Sequence, residues 1–120
     1  MKRKELGALG EKLAVNFLKR QGYHIMQTNF RCRQGEIDIV AKKDGWLVFV
    51  EVRTRKGGGF GTPEESITLA KKEKLISLAS IYLQTHDRLP ASWRIDVVVI
   101  ELDESEKVKR LELIENAITG

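Results

Sequence analysis

A chain of 120 residues has the length of one ordinary domain, and its 42% hydrophobic residues suffice for a single core. No uncharged run approaches the ~18 apolar residues that cross a bilayer, so we expect no membrane contact. Glu5, Glu11 and Lys12 interrupt any apolar segment behind the basic start, which argues against a secretory signal and predicts a cytoplasmic protein.

Cysteine, histidine and net charge exclude several kinds of site. Cys32 is the only cysteine, so an internal disulfide and a zinc site built from cysteines are excluded. The two histidines lie far apart, without the spacing of metal ligands. The net charge of +4 and the pI near 9.3 suit a polyanionic partner, but many ordinary domains share this balance. Charge alone therefore decides no function.

The apolar pattern predicts seven elements, in the order helix, three strands, helix and two strands. Their expected bounds are Lys4–Arg20, Tyr23–Arg31, Glu36–Lys42, Trp46–Arg53, a helix that ends near Gln84, Arg94–Ile100 and Val108–Ile114. The start of the second helix stays open, because Thr62 begins a capping-box pattern and Thr68 is an equally good N-cap. We expect one α/β domain over residues 1–120.

The dipeptide Asp44-Gly45 is a strong hairpin signal, and a two-residue turn there fixes the register of the strands on either side. The facing pairs are then Lys43–Trp46, Asp38–Glu51 and Glu36–Arg53. Alternation places the charged pairs on one face and apolar side chains on the other. The apolar face would consist of Ile37, Ile39, Ala41, Val48, Val50 and Val52.

Asp38 and Glu51 are the most informative of these pairs. Facing side chains have Cβ atoms roughly 4.5–5.5 Å apart, where like charges are destabilising unless a cation lies between them. Mg²⁺ binds few protein carboxylates and keeps water for a phosphate substrate, and the Val52 carbonyl is a further candidate ligand. The alternative is a solvated face on which each acid pairs with an Arg or Lys, and a one-residue shift of the turn would abolish the pair.

Three more charged residues are candidates for the same site. Arg53 follows Glu51 on its strand face, where it can neutralise charge on a phosphate or form a salt bridge to Glu36. Glu11 lies beside small residues that would bring the first helix close to the sheet; otherwise it is a surface glutamate. Lys71 lies in the apolar stripe of the second helix, where it reaches either water or a phosphate near the helix N-terminus.

The segment Arg55–Gly61 contains four glycines and is predicted to be a loop. Its backbone amides and the cations Arg55 and Lys56 suit a phosphodiester chain, and Phe60 could stack on a base. The segment lacks the strand-to-helix context of a nucleotide-binding P-loop. A plain flexible connector is the alternative.

Five segments carry a resemblance that covers nearly the whole chain. They are Gly10-Glu11, Asn29-Phe30-Arg31, Gly35-Glu36-Ile37-Asp38, Phe49–Arg55 and Arg94–Val98. Together they resemble the YraN-like bacterial family, an uncharacterised family grouped with restriction-endonuclease-like nucleases, near archaeal Holliday junction resolvases. The resemblance implies a restriction-endonuclease-like α/β fold, a mixed sheet flanked by helices.

The wider nuclease pattern is an acid, a spacer and then Glu-x-Lys. The resemblance implies that Asp38 and Glu51 are ligands of Mg²⁺ or Mn²⁺ and that Glu11 is the additional acid on the first helix. Lys71 matches a lysine that follows the Pro-containing segment of the family. Arg53 departs from the pattern, which has Lys there to orient or deprotonate the attacking water. A guanidinium holds a phosphate but does not readily exchange a proton.

These observations lead us to expect a metal-dependent nuclease-like protein that acts on phosphodiester bonds of DNA, branched DNA included. The expected catalytic residues are Glu11, Asp38, Glu51 and Arg53, and the expected nucleic-acid contacts are Arg53, Arg55, Lys56 and Lys71. The alternatives are a non-catalytic nucleic-acid-binding module on the same scaffold and a protein–protein adaptor. Resolvase-like relatives act as dimers, so the resemblance also implies a homodimer.

Overall fold

The computed structural model of the chain describes residues 2–59 and 61–118 and contains one five-stranded sheet with a helix on each face. The elements are α1 (Arg3–Arg20), β1 (His24–Cys32), β2 (Gly35–Lys43), β3 (Trp46–Lys56), a 3₁₀ turn (Pro63–Ser66), α2 (Leu69–Thr85), β4 (Ser92–Leu102) and β5 (Val108–Ile118). The predicted mixed α/β class and order of elements agree with this arrangement, apart from the added 3₁₀ turn.

The strands lie in the sheet in chain order, β1-β2-β3-β4-β5. β3 and β4 run parallel, and all other neighbours run antiparallel. Because two parallel strands need a crossover between them, the chain passes over one face of the sheet after β3, and α2 belongs to this crossover. Every residue from Ile95 to Ile100 is buried, as expected for a strand covered on both faces.

The core has two layers, one on each side of the sheet. α1 buries Ala14 and Leu18 against one face, and α2 buries Leu75, Leu78 and Tyr82 against the other. None of the helices in residues 2–59 and 61–118 is long and apolar enough to cross a membrane.

α1 approaches β3 closely at Gly10. A Cβ at this position would overlap the hydroxyl of Thr54, so only glycine fits without a shift. The small residues beside Glu11 were expected to let α1 approach the sheet closely. Gly10 provides this close approach. Gly7 is exposed, and no neighbouring atom lies within 4 Å of a Cβ built there.

Both candidate starts of the second helix are used, each by a different element. Thr62 and Glu65 form the capping box of the 3₁₀ turn, with the Thr62 N–H donating to Glu65 Oε1 at 3.1 Å. Thr68 caps α2, because its Oγ1 accepts the N–H of Lys71 at 3.1 Å. α2 therefore begins at Leu69, and the 3₁₀ turn precedes it as a separate element.

Candidate metal and phosphate site

The β2–β3 hairpin has the predicted register next to the turn, but the predicted facing pairs Asp38–Glu51 and Glu36–Arg53 lie beyond its regular pairing. Lys43 pairs with Trp46, and the pairing continues as far as Ile39 opposite Val50. The φ angles of 49° at Asp44 and 83° at Gly45 are those that a two-residue type I′ turn requires. The next residues along the two strands are the predicted acids at positions 38 and 51.

At Asp38 the side chain, and not the backbone, accepts the hydrogen bond from β3. The N–H of Val52 donates to Asp38 Oδ2 at 2.8 Å, and the regular pairing of β2 with β3 does not extend past Ile39. Ile37 consequently packs in the cluster under α2, while Ile39 packs with α1. The prediction of an unbroken apolar face is therefore wrong at Ile37, because the alternation holds only while the strands pair.

Glu51 is a buried acid, with 5% of its surface exposed. Burial, as the main cause, and the charge of Asp38 raise the pKa of Glu51 to about 7, and Asp38 also accepts a hydrogen bond from the protonated form. Lys71 and Arg53 act in the opposite direction. The Asp38 carboxylate is thus close enough to Glu51 to disfavour ionisation of Glu51.

Two cations converge on one oxygen of Glu51. Arg53 Nη2 lies 3.1 Å and Lys71 Nζ 3.6 Å from Glu51 Oε2. The alternative pairing of Arg53 with Glu36 is not formed, since the Nε of Arg31 donates to Glu36 Oε2 at 3.2 Å. The structure therefore brings together four of the residues singled out from the sequence, one from β2, two from β3 and one from α2.

Arg53 keeps a donor unused. Its Nε is buried and has no hydrogen-bond partner among residues 2–59 and 61–118. An unmet buried donor costs about 1–3 kcal/mol, which a ligand oxygen would recover. Arg53 also lines the large cleft beside the site, so an oxyanion entering the cleft has a guanidinium to bind.

Glu11 lies on the other side of this cleft, on α1. Asn29 Nδ2 donates to Glu11 Oε1 at 2.7 Å. Burial first, and then the charges of Asp38 and Glu36, raise the pKa of Glu11, while the hydrogen bond from Asn29 lowers it. Glu11 thus faces the same space as Asp38, as expected from the sequence.

Asn29 has a role that sequence reasoning did not assign. It adopts a φ of 53° within β1, a left-handed conformation that asparagine tolerates better than most residues. This conformation accompanies the hydrogen bond that fixes Glu11. The only signal available was its place in the segment Asn29-Phe30-Arg31, which contributed to the family resemblance.

The cleft has a volume of about 1010 Å³ and lies between the first turns of α1, β3 and the 3₁₀ turn. Its lining carries both signs of charge. The basic residues are Arg3, Lys4, Arg31, Arg53 and Arg55, and the acidic residues are Glu11, Glu36, Asp38 and Glu65. Asp38 connects the cleft to Glu51, which lies on the α2 side of β3.

Arg55 and Lys56 lie on β3, which is longer than predicted, and contact acids away from Glu51. Arg55 Nη2 contacts Glu101 Oε1 at 2.7 Å, and another Arg55 nitrogen donates to the carbonyl of Gly61. Lys56 Nζ lies 3.9 Å from Glu106. Arg55 lines the cleft, but the structure does not place either cation at the carboxylate pair. The predicted stacking residue, Phe60, lies outside the described residues.

A buried polar network on the α1 side of the sheet was also missed. Asp96, fully buried, accepts hydrogen bonds from Tyr23 Oη at 3.0 Å, Arg94 Nε at 3.0 Å and the Asn116 N–H at 2.9 Å. Burial, with the Asp96 charge, raises the pKa of Tyr23 to about 12. These satisfied contacts join Tyr23, the residue before β1, to β4 and β5, so the network stabilises the sheet. The sequence pointed to this network only through an aspartate inside the apolar run of β4.

The donor set fits a hard divalent cation. In the described part of the chain no three His, Cys, Asp or Glu side chains lie close enough to hold a metal ion together. Asp38 and Glu51 could supply two carboxylate ligands, a small set that suits Mg²⁺ or Mn²⁺ because such ions keep several waters. Burial, as the main cause, and the charge of Asp38 keep the pKa of Glu51 raised despite the two neighbouring cations.

The fold and the site define an α/β protein with a mixed five-stranded sheet and a carboxylate pair where β2 separates from β3. Residues 10–100 match the family described as "Uncharacterised protein family UPF0102", and the chain belongs to this family. The resemblance to the YraN-like family is thereby confirmed.

Curated relatives cover most of the chain. A UPF0102 protein of Roseiflexus castenholzii is 52% identical over 103 residues, 84% of this chain and 82% of its own. A UPF0102 protein of Dehalococcoides mccartyi is 49% identical over 116 residues, covering 97% and 94% of the two chains. One from Caldicellulosiruptor saccharolyticus is 43% identical over 117 residues, covering 98% and 99%. These names state a family and no reaction.

Proposed function

We propose that this protein is a metal-dependent nuclease-like protein that acts on phosphodiester bonds of DNA, including branched DNA, on a restriction-endonuclease-like scaffold. The observation that carries the proposal is the pairing of Asp38 with the buried Glu51, beside Arg53 and Lys71. Two carboxylates with adjacent cations suit a divalent metal and a phosphate bound next to each other.

Each residue has a role that its contacts support. Asp38 and Glu51 would hold Mg²⁺ or Mn²⁺, which would supply activation of water and neutralisation of charge on the phosphate. Arg53 lines the cleft and binds a phosphate oxygen there through its guanidinium. Lys71 provides a second positive charge to the phosphate. Glu11, fixed by Asn29, would orient a water molecule from the α1 side of the cleft.

A second candidate is a nucleic-acid-binding module without cleavage. Arg53 favours it, because a guanidinium stays protonated and cannot take a proton from water as the amine of the Glu-x-Lys pattern can. In this case the carboxylate pair and its metal would serve DNA binding alone.

The test is a screen for Mn²⁺-dependent cleavage of single-stranded, duplex, flap and four-way DNA. Wild type should cleave at least one of these substrates, Glu51→Gln should not, and the matched control Glu73→Gln, an exposed glutamate of α2, should behave as wild type. Binding without cleavage would support the second candidate. Absence of binding even at low salt would overturn both and favour the protein–protein adaptor.

A further inference from the structure

Lys71 is the more loosely held of the two cations at Glu51. Its Nζ lies 3.6 Å from Glu51 Oε2, and its side chain is 35% exposed. Arg53 Nη2 lies closer, at 3.1 Å, on a side chain that is 26% exposed. The ammonium also ends a flexible stem, whereas Arg53 is carried by the same strand as Glu51. Lys71 can therefore leave Glu51 without movement of the sheet.

The charges of the metal-free site balance. When both acids are ionised, Asp38 and Glu51 carry two negative charges, and Arg53 and Lys71 carry two positive charges. A divalent cation at the carboxylates would add two more positive charges beside the ammonium. Like charges this close repel each other, so the metal and Lys71 compete for Glu51.

We propose that Lys71 is the counter-ion of Glu51 in the metal-free protein, and that a divalent cation displaces it and frees its ammonium for a substrate phosphate. The inference rests on the proposed function, since it needs a metal at Asp38 and Glu51. The backbone of α2 stays in place, because the Thr68 cap fixes the first turn that carries Lys71. Only the side chain exchanges partners.

This exchange couples metal binding to phosphate binding. The metal releases Lys71 for the phosphate, and a bound phosphate holds Lys71 away from the metal site. By linkage, each ligand then raises the affinity for the other. A lysine that merely stabilises the fold would give no such coupling, and its loss would loosen the metal site.

The first experiment measures Mn²⁺ binding by calorimetry to wild type, Lys71→Met and Lys72→Met, with no DNA present. Removal of the competing ammonium should make Mn²⁺ binding to Lys71→Met about tenfold tighter. Lys72→Met, at the exposed neighbouring position of α2, should bind as wild type does. Unchanged or weaker Mn²⁺ binding to Lys71→Met would overturn the exchange.

The second experiment measures duplex DNA binding in Mg²⁺ and in a chelator. Mg²⁺ should raise the affinity of wild type, and Lys71→Met should lose most of this increase although it binds the metal more tightly. An equal Mg²⁺ effect in both proteins would overturn the coupling.

Glu51→Gln separates failure of this inference from failure of the proposed function. The first case is that wild type binds Mn²⁺, Glu51→Gln does not bind it, and Lys71→Met binds it no more tightly than wild type. Only the proposed displacement of Lys71 is then wrong. If wild type binds no Mn²⁺, or Glu51→Gln binds it equally well, both proposals are overturned.

Discussion

Glu51 makes the metal-free protein less stable as the pH rises, and Glu51→Gln should remove this dependence. In the unfolded chain the carboxyl group titrates near its ordinary pKa of 4.5, whereas in the folded protein its pKa is about 7. Between these two values the folded state binds more protons than the unfolded state. The free energy of unfolding therefore falls as the pH rises through this window.

The separation of the two pKa values sets the magnitude. At about 1.4 kcal/mol for each pH unit, ionisation of Glu51 lowers the free energy of unfolding by about 3 kcal/mol above pH 7. Glu51 is only 5% exposed, so solvent screens this effect little. Glutamine has the shape of the protonated acid and can donate to Asp38. Glu51→Gln should thus match wild type near pH 4 and exceed it by about 3 kcal/mol near pH 8.

Urea denaturation in a chelator, at several pH values between about 4 and 8, measures this difference. Glu73→Gln is the control, since Glu73 is an exposed glutamate of α2, and it should follow wild type at every pH. Mn²⁺ added near pH 8 should stabilise wild type and not Glu51→Gln, because only wild type keeps both ligands. A Glu51→Gln protein that is less stable than wild type near pH 8 would refute the assignment of Glu51 as a buried, repelled carboxylate.

Three further outcomes are expected. Arg53→Lys should raise the rate of Mn²⁺-dependent cleavage in a nuclease assay, and adding Glu51→Gln should abolish the gain. If Arg53→Lys cleaves no faster than wild type, the guanidinium already serves the reaction. Gly10→Ala should lower the free energy of unfolding by about 1–3 kcal/mol through overlap with Thr54, while Gly7→Ala, at an open helical position, should raise it by about 0.5–1 kcal/mol. DNA affinity, measured by fluorescence titration, should fall as the salt concentration rises. The slope of log K against log salt concentration should be near −0.9 for each duplex phosphate contacted. An affinity that does not change with salt would exclude phosphate binding.

The register of the β2–β3 hairpin could be predicted because it depends on local chemistry. Asp44 and Gly45 accept the positive φ values of a two-residue turn, and this turn determines every pair up to Ile39 and Val50. Beyond Ile39 the outcome depends on a competition that no local pattern reveals. The carboxylate of Asp38 accepts the Val52 N–H, and regular pairing between the strands ends there.

Long-range ion pairs were the least predictable part of the site. Arg55 contacts Glu101, 46 positions away in sequence. The cations of Arg55 and Lys56 were expected to be available to a phosphate chain, but each has an acidic partner on or beyond β4. Lys71 was recognisable as a lysine in an apolar stripe and, through the family resemblance, as the lysine after the Pro-containing segment. Its contact with Glu51 depends on how α2 packs across the sheet.

The burial of Glu51 opposes stability in a way that a function would explain. An acid at this position is desolvated and repelled by Asp38, and Arg53 and Lys71 offset the penalty only in part, because the pKa still rises to about 7. Glutamine would fit the same space without the charge, so folding alone does not require a carboxylate. If Glu51→Gln both stabilises the protein and abolishes Mn²⁺ binding, stability and function conflict at a single side chain, as they commonly do in binding sites.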